Sequence, residues 1–141
     1  MDKMNGLEAS AEKVGMHMKS EIELLGGECF VKKQRSLIIH AGTSRFTCTL
    51  DLDISFSKYK EDGMAVNKAK IYLLPEELPA FTYNLIESEV PLPIDYHQHL
   101  TANPNIICFC METKEPPENF AKRLSTALAI LDQLSGQVYM N

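Results

Sequence analysis

From Arg45 to Tyr59 the chain reads RFTCTLDLDISFSKY, an unbroken alternation of apolar and polar side chains. On an extended backbone, Phe46, Cys48, Leu50, Leu52, Ile54 and Phe56 fall on one side, and Thr47, Thr49, Asp51, Asp53, Ser55 and Ser57 on the other. Such a strand covers a core with one face and meets water with the other. The rest of the chain must therefore supply neighbouring strands and an apolar layer to lie against it.

Neighbours are legible on both sides. MAVNKAKIYLL, Met64 to Leu74, reads as the next strand after a turn that ends in Gly63. A register that sets Asp53 against Lys68 and Asp51 against Lys70 puts opposite charges together on the polar face, with Leu50 against Ile71 on the apolar one. Upstream, Cys29 to Lys33 and Ser36 to Ala41 read as two short strands joined by a polar turn, and AGTS, Ala41 to Ser44, as the turn that follows. These strands form an antiparallel meander.

Helical spacing flanks the meander. Leu7, Ala11, Val14, Met18, Ile22 and Leu25 recur every three or four residues, which predicts an N-terminal helix closed by Gly26 and Gly27. Asn5 and Glu8 have the spacing of a capping box at its start. After the meander, Pro75 opens a first turn. A short helix begins near Leu78 with Pro79 in its first turn, presenting Leu78, Phe81, Leu85 and Ile86 inward. Residues Ser88 to Asn105 carry three prolines and no helical period, with room for an edge strand around Ile94 to His99. NIICFCME, from Asn105, is apolar on both faces and fits a central strand. The closing helix carries Phe120, Leu124, Ala127, Leu128, Leu131 and Leu134 in one stripe and stops at Gly136.

The expected fold is α+β: an antiparallel sheet of four to five strands, with the N-terminal, short middle and C-terminal helices packed on one face. One domain is expected over residues 1–141, its ordered core running from about 5 to 136. A chain of 141 residues, 45% hydrophobic, can bury about two thirds of the surface its unfolded form exposes.

Charge and cysteine usage narrow the function. A net charge of −5 argues against nucleic acid, which demands clustered Lys and Arg. No apolar run approaches the about 20 residues of a membrane span. The polar opening MDKMNGLEAS has no signal-peptide character, so the four cysteines are expected to be reduced and the location cytoplasmic.

The densest group of reactive side chains is YHQHLTANPNIICFC. His97 and His99 share one side of an extended backbone and Cys108 and Cys110 share another, so four nitrogen and sulfur donors suited to zinc converge if the two segments are neighbours. Against a metal stands the spacing, since an extended C-x-C offers an awkward bite where structural zinc sites use C-x-x-C turns. No serine triad, phosphate loop or H-E-x-x-H occurs, and no cofactor is called for. NPNI, Asn103 to Ile106, resembles the His-Pro-Asn segment before the active cysteine of ubiquitin-conjugating enzymes. It departs from that pattern at Asn103 and in the early position of Cys108.

The element order is similar to that of the small acidic chaperones of type III secretion, which set helices against a twisted sheet. That resemblance implies a dimer that holds a partner's extended segment. The leading expectation is a non-enzymatic protein-binding module, adaptor, chaperone or inhibitor-like, working through the 90–105 loop and a sheet edge. Its contact residues would be Val90, Leu92, Ile94, Tyr96, His97 and His99. The alternative is a thiol- or metal-dependent enzyme or zinc-binding protein centred on His97, His99, Cys108 and Cys110, with a divergent ubiquitin-conjugating-enzyme-like fold as one form of it.

Overall fold

Strand β3 (Ser44–Ser57) carries the alternation, and in the computed structural model its inward residues Leu52, Ile54 and Phe56 are buried. The structure describes residues 3–94, 96–102 and 106–140, with the side chains of 3–5, 41, 102 and 134–140 left aside. Around β3 lie helix α1 (Lys3–Met18), strands β1 (Glu21–Leu25), β2 (Glu28–Ala41) and β4 (Ala65–Leu73), and a 3-10 turn at Pro75–Glu77. Helix α2 (Leu78–Ile86), strands β5 (His97–Ala102) and β6 (Ile107–Glu115), and helix α3 (Pro117–Met140) complete the order. The fold is α+β, as expected. Its sheet has six strands rather than four to five, ordered β1-β2-β3-β4-β6-β5 and antiparallel throughout.

The extra strand and the longer ones come from the segment before the meander. The N-terminal helix stops at Met18, not at Gly26. Lys19 takes a left-handed φ of 52°, and Ser20 N–H donates to Gly15 O while Lys19 N–H donates to Met16 O. This pair of bonds is a Schellman closure, with lysine where glycine is usual. Ile22 and Leu25, placed on the helix by their spacing, belong to β1. Gly26 and Gly27 form its two-residue hairpin loop, both at positive φ as a primed turn requires. The polar run Lys32 to Arg35 is not a turn either. Strand β2 passes straight through it, because Arg35 turns inward to a buried partner and Lys33 Nζ donates to Met18 O at 3.2 Å.

Register between β3 and β4 differs from the expected one by two residues. Asp53 lies opposite Lys70 and Ser55 opposite Lys68, while Ile54 faces Ala69. A two-residue offset preserves which face each side chain occupies, so the burial pattern survives. Asp51 instead accepts a hydrogen bond from Gln34 Nε2 at 2.8 Å. The β2–β3 hairpin outruns β4, which meets β3 only from Asp53 to Ser57, and Phe46 near its tip is half exposed.

One core cluster joins the strands and all three helices. It takes Ile54 and Phe56 from β3, Ala69 and Ile71 from β4, and Phe109 and Met111 from β6, together with Val14 and Met18 of α1, Phe81 and Leu85 of α2, and Leu124 and Leu131 of α3. Phe81 meets Phe109 edge-to-face at 5.1 Å, which seats α2 over β6. In α2 the apolar stripe is narrower than expected, with Phe81 and Leu85 buried, Leu78 half-buried and Ile86 exposed. Helix α3 continues through Gly136 to Met140. Among the described residues no helix is long and apolar enough to cross a membrane.

Candidate functional site: the outer face and the β5 edge

Strand β6 alternates like β3. Phe109, Met111 and Thr113 are buried, which leaves Cys108, Cys110 and Glu112 on the opposite, outer face. On one side β6 is bordered by β4, with Tyr72 opposite Cys108, Lys70 opposite Cys110 and Lys68 opposite Glu112. On the other side runs β5, with His99 opposite Cys110, His97 opposite Glu112 and Thr101 opposite Cys108. The two histidines and two cysteines thus share one face of adjacent strands. Edge strand β5 begins about three residues later than the sequence indicated, at His97.

This face holds a shallow depression of about 440 Å³, bordered by Asp53, Lys68, Lys70, His97, His99 and Cys110. Sequence reading supplied the histidines and Cys110 but not Asp53 and the two lysines. Their signal is parity: the register that aligns the apolar faces of β3, β4 and β6 also gathers these charges on the outer face.

Cys108 Sγ and Cys110 Sγ are 3.8 Å apart, so the bite of this extended C-x-C pair is closer than its spacing suggests. Burial holds the Cys108 thiol above its usual range, and its hydrogen bond and repulsion with Cys110 act the same way; Lys70 pulls in the opposite direction. All four thiols are free. Cys29 is buried in the core, where desolvation raises it to about 11. Among the described residues no three His, Cys, Asp or Glu side chains already stand in an arrangement that holds a metal.

The segment leading into β5 is tied to the body of the protein. Arg123, wholly buried, donates from Nε to Val90 O at 3.1 Å and from Nη2 to Pro91 O at 2.8 Å. Val90 and Leu92 are half-buried, Tyr96 packs against the core, and its hydroxyl donates to Gln98 Oε1 at 2.7 Å. Ile94, His97 and His99 are exposed. Asn103 to Asn105, most of the NPNI segment, lie outside the described residues.

A family model matches residues 12–130, from the middle of α1 almost to the end of the well-packed part of α3. The chain belongs to the family described as Domain of Unknown Function (DUF1259). The match takes in the whole sheet and every histidine and cysteine of the outer face. No curated protein and no solved structure matches the chain.

Proposed function

We propose that the chain is a non-enzymatic protein-binding module that takes an extended segment of a partner as an added strand on β5. The observation that carries this reading is the state of the two sheet edges. Strand β1 presents exposed Glu21 and Glu23, charges of the kind that discourage edge pairing. Strand β5, HQHLTA, contains no Lys, Glu, Asp or Pro, and among the described residues only β6 pairs with it. Leu100 lies on its inward side and is still 45% exposed, so an added strand would cover it.

With the three helices packed on the apolar face, the outer face stays open beside the edge. An incoming strand would lie next to His97, His99 and Thr101 there, while Ile94 offers an apolar contact at the strand's entrance. Main-chain hydrogen bonds would supply affinity, and side chains on alternate positions selectivity. The underside of the loop, through Val90, Leu92 and Tyr96, holds this edge in place. Adaptor and chaperone roles both follow from such a surface, and a second copy of the chain is one form the partner can take. Four free thiols suit a reducing compartment, and we place the module in the cytoplasm on that ground.

The test compares proteins retained by the purified chain with those retained by Leu100→Lys and Leu100→Glu, each of which puts a charge on the edge at a residue outside the core cluster. A partner held by the parent chain and lost from both variants is expected. Identical retention by all three would overturn the reading.

A further inference from the structure

We propose that Cys108 and Cys110, with His99 as third ligand, form a binding site for a thiophilic d10 cation, Zn(II) or Cu(I), on the outer face of the sheet. Two sulfurs bound to one ion at about 2.3 Å with a tetrahedral angle between them stand about 3.8 Å apart. That is the separation of the two Sγ atoms in the structure. The pair therefore needs no rearrangement of the strand to act as a two-sulfur clasp. Its thiols also point away from the core: β6 fills the interior with Phe109 and Met111 and turns both cysteines to the half-exposed outer face.

A borderline or soft ion completes its shell with imidazole. His99 is the direct cross-strand neighbour of Cys110, which sets their Cβ atoms about 4.5–5.5 Å apart. His99 is exposed, so its ring is free to rotate towards the clasp, a motion of the ps–ns range. The three donors are not yet gathered, and the ion brings the imidazole in. Binding replaces both thiol protons by metal–sulfur bonds and releases them to solvent, with no change of oxidation state.

The test uses the reduced, metal-free full chain, titrated with Zn(II) and, without oxygen, with Cu(I), each in competition with a chromophoric chelator. One equivalent of at least one ion should be taken up. Cys108→Ser and Cys110→Ser should each weaken uptake by more than the about 10–100-fold that loss of an outer-sphere partner costs. Cys48→Ser, on β3, should change nothing. Co(II) should give a thiolate-to-metal charge-transfer band that both serine variants lose, and far-ultraviolet circular dichroism should show these variants folded. Absence of uptake of either ion overturns the site, as does uptake that survives in the Cys108→Ser/Cys110→Ser chain or needs only one of the two thiols. Unchanged affinity in His99→Ala overturns the assignment of the third ligand. None of these readouts depends on a protein partner.

Discussion

Glu115, the last residue of β6, and Arg123, two turns into α3, form a two-pronged ion pair with both N···O distances at 2.7 Å, inside the protein. The same guanidinium carries Val90 O and Pro91 O, so one side chain joins the sheet, the C-terminal helix and the approach to β5. Thr113 Oγ1 donates to Glu115 Oε2 at 2.7 Å and completes the set. Arg123→Met leaves a buried carboxylate unpaired and should cost about 3–5 kcal/mol in urea unfolding. Arg123→Lys cannot reproduce the fork and should also destabilise. At equal global stability, faster amide exchange at Val90 and Leu92 in Arg123→Lys would show that the arginine fixes this segment.

Arg35 and Glu77 make the second such pair, at 3.1 and 2.8 Å, with Arg35 also donating to Tyr72 O and Glu77 accepting from Leu74 N–H. This pair locks the 3-10 turn between β4 and α2 onto β2. Arg35→Met should cost about 3–5 kcal/mol, and Arg35→Met with Glu77→Leu should recover much of it, since a buried pair replaced whole by apolar groups is often near neutral. A double-mutant cycle measures the coupling. Additive losses would contradict it.

These two pairs also show what sequence patterning reaches. Alternation in Phe46 to Ser57 fixed the facing of β3, because burial is decided locally by side-chain parity, whereas Asn105 to Glu112 marked an internal strand only by being apolar on both faces. Offsets and partners are decided at long range. Asp53 could face Lys68 or Lys70 with equal parity, and the choice falls to Lys70. Arg35 looked like part of a polar turn because its carboxylate is 42 residues away. Lys19 hid the end of α1, since glycine, not lysine, normally signals a left-handed cap. At the site, the histidines and cysteines were visible as residue types, whereas Asp53, Lys68 and Lys70 became neighbours only through the register.

Two glycines of α1 should respond oppositely to alanine. At Gly6 an added Cβ meets Tyr59 Cε2 at 3.5 Å, ordinary contact, so Gly6→Ala should stabilise by about 0.5–1 kcal/mol through helix propensity. At Gly15 it meets Ser20 O at 3.2 Å and Ile22 Cγ2 at 3.3 Å, where β1 folds back on the helix end. Gly15→Ala should forfeit that gain or destabilise. Thermal unfolding of both variants checks the contrast; an equal gain at the two positions would contradict the close packing of β1.

Tyr96 should ionise late. Burial pushes it up to about 12, with Arg123 pulling the other way. The folded state therefore favours the neutral phenol. Its contribution to stability is whole below about pH 10, the ordinary tyrosine value, and is lost as pH rises through about 12. Phenolate absorbance should show a late step that Tyr96→Phe removes. Ionisation of every tyrosine near pH 10 in the folded chain would contradict the packing of Tyr96.

Amide hydrogen exchange along β5 and β6 in the free, dilute chain shows directly whether the outer edge of β5 is open. An open outer edge predicts that residues 97–102 alternate, every second amide slow where it bonds to β6 and the next fast where it faces water, while amides of residues 107–115 are slow throughout. Uniform protection along 97–102 equal to that of β6 would mean the edge is already occupied, and uniform fast exchange there would mean that no strand stands ready to receive one.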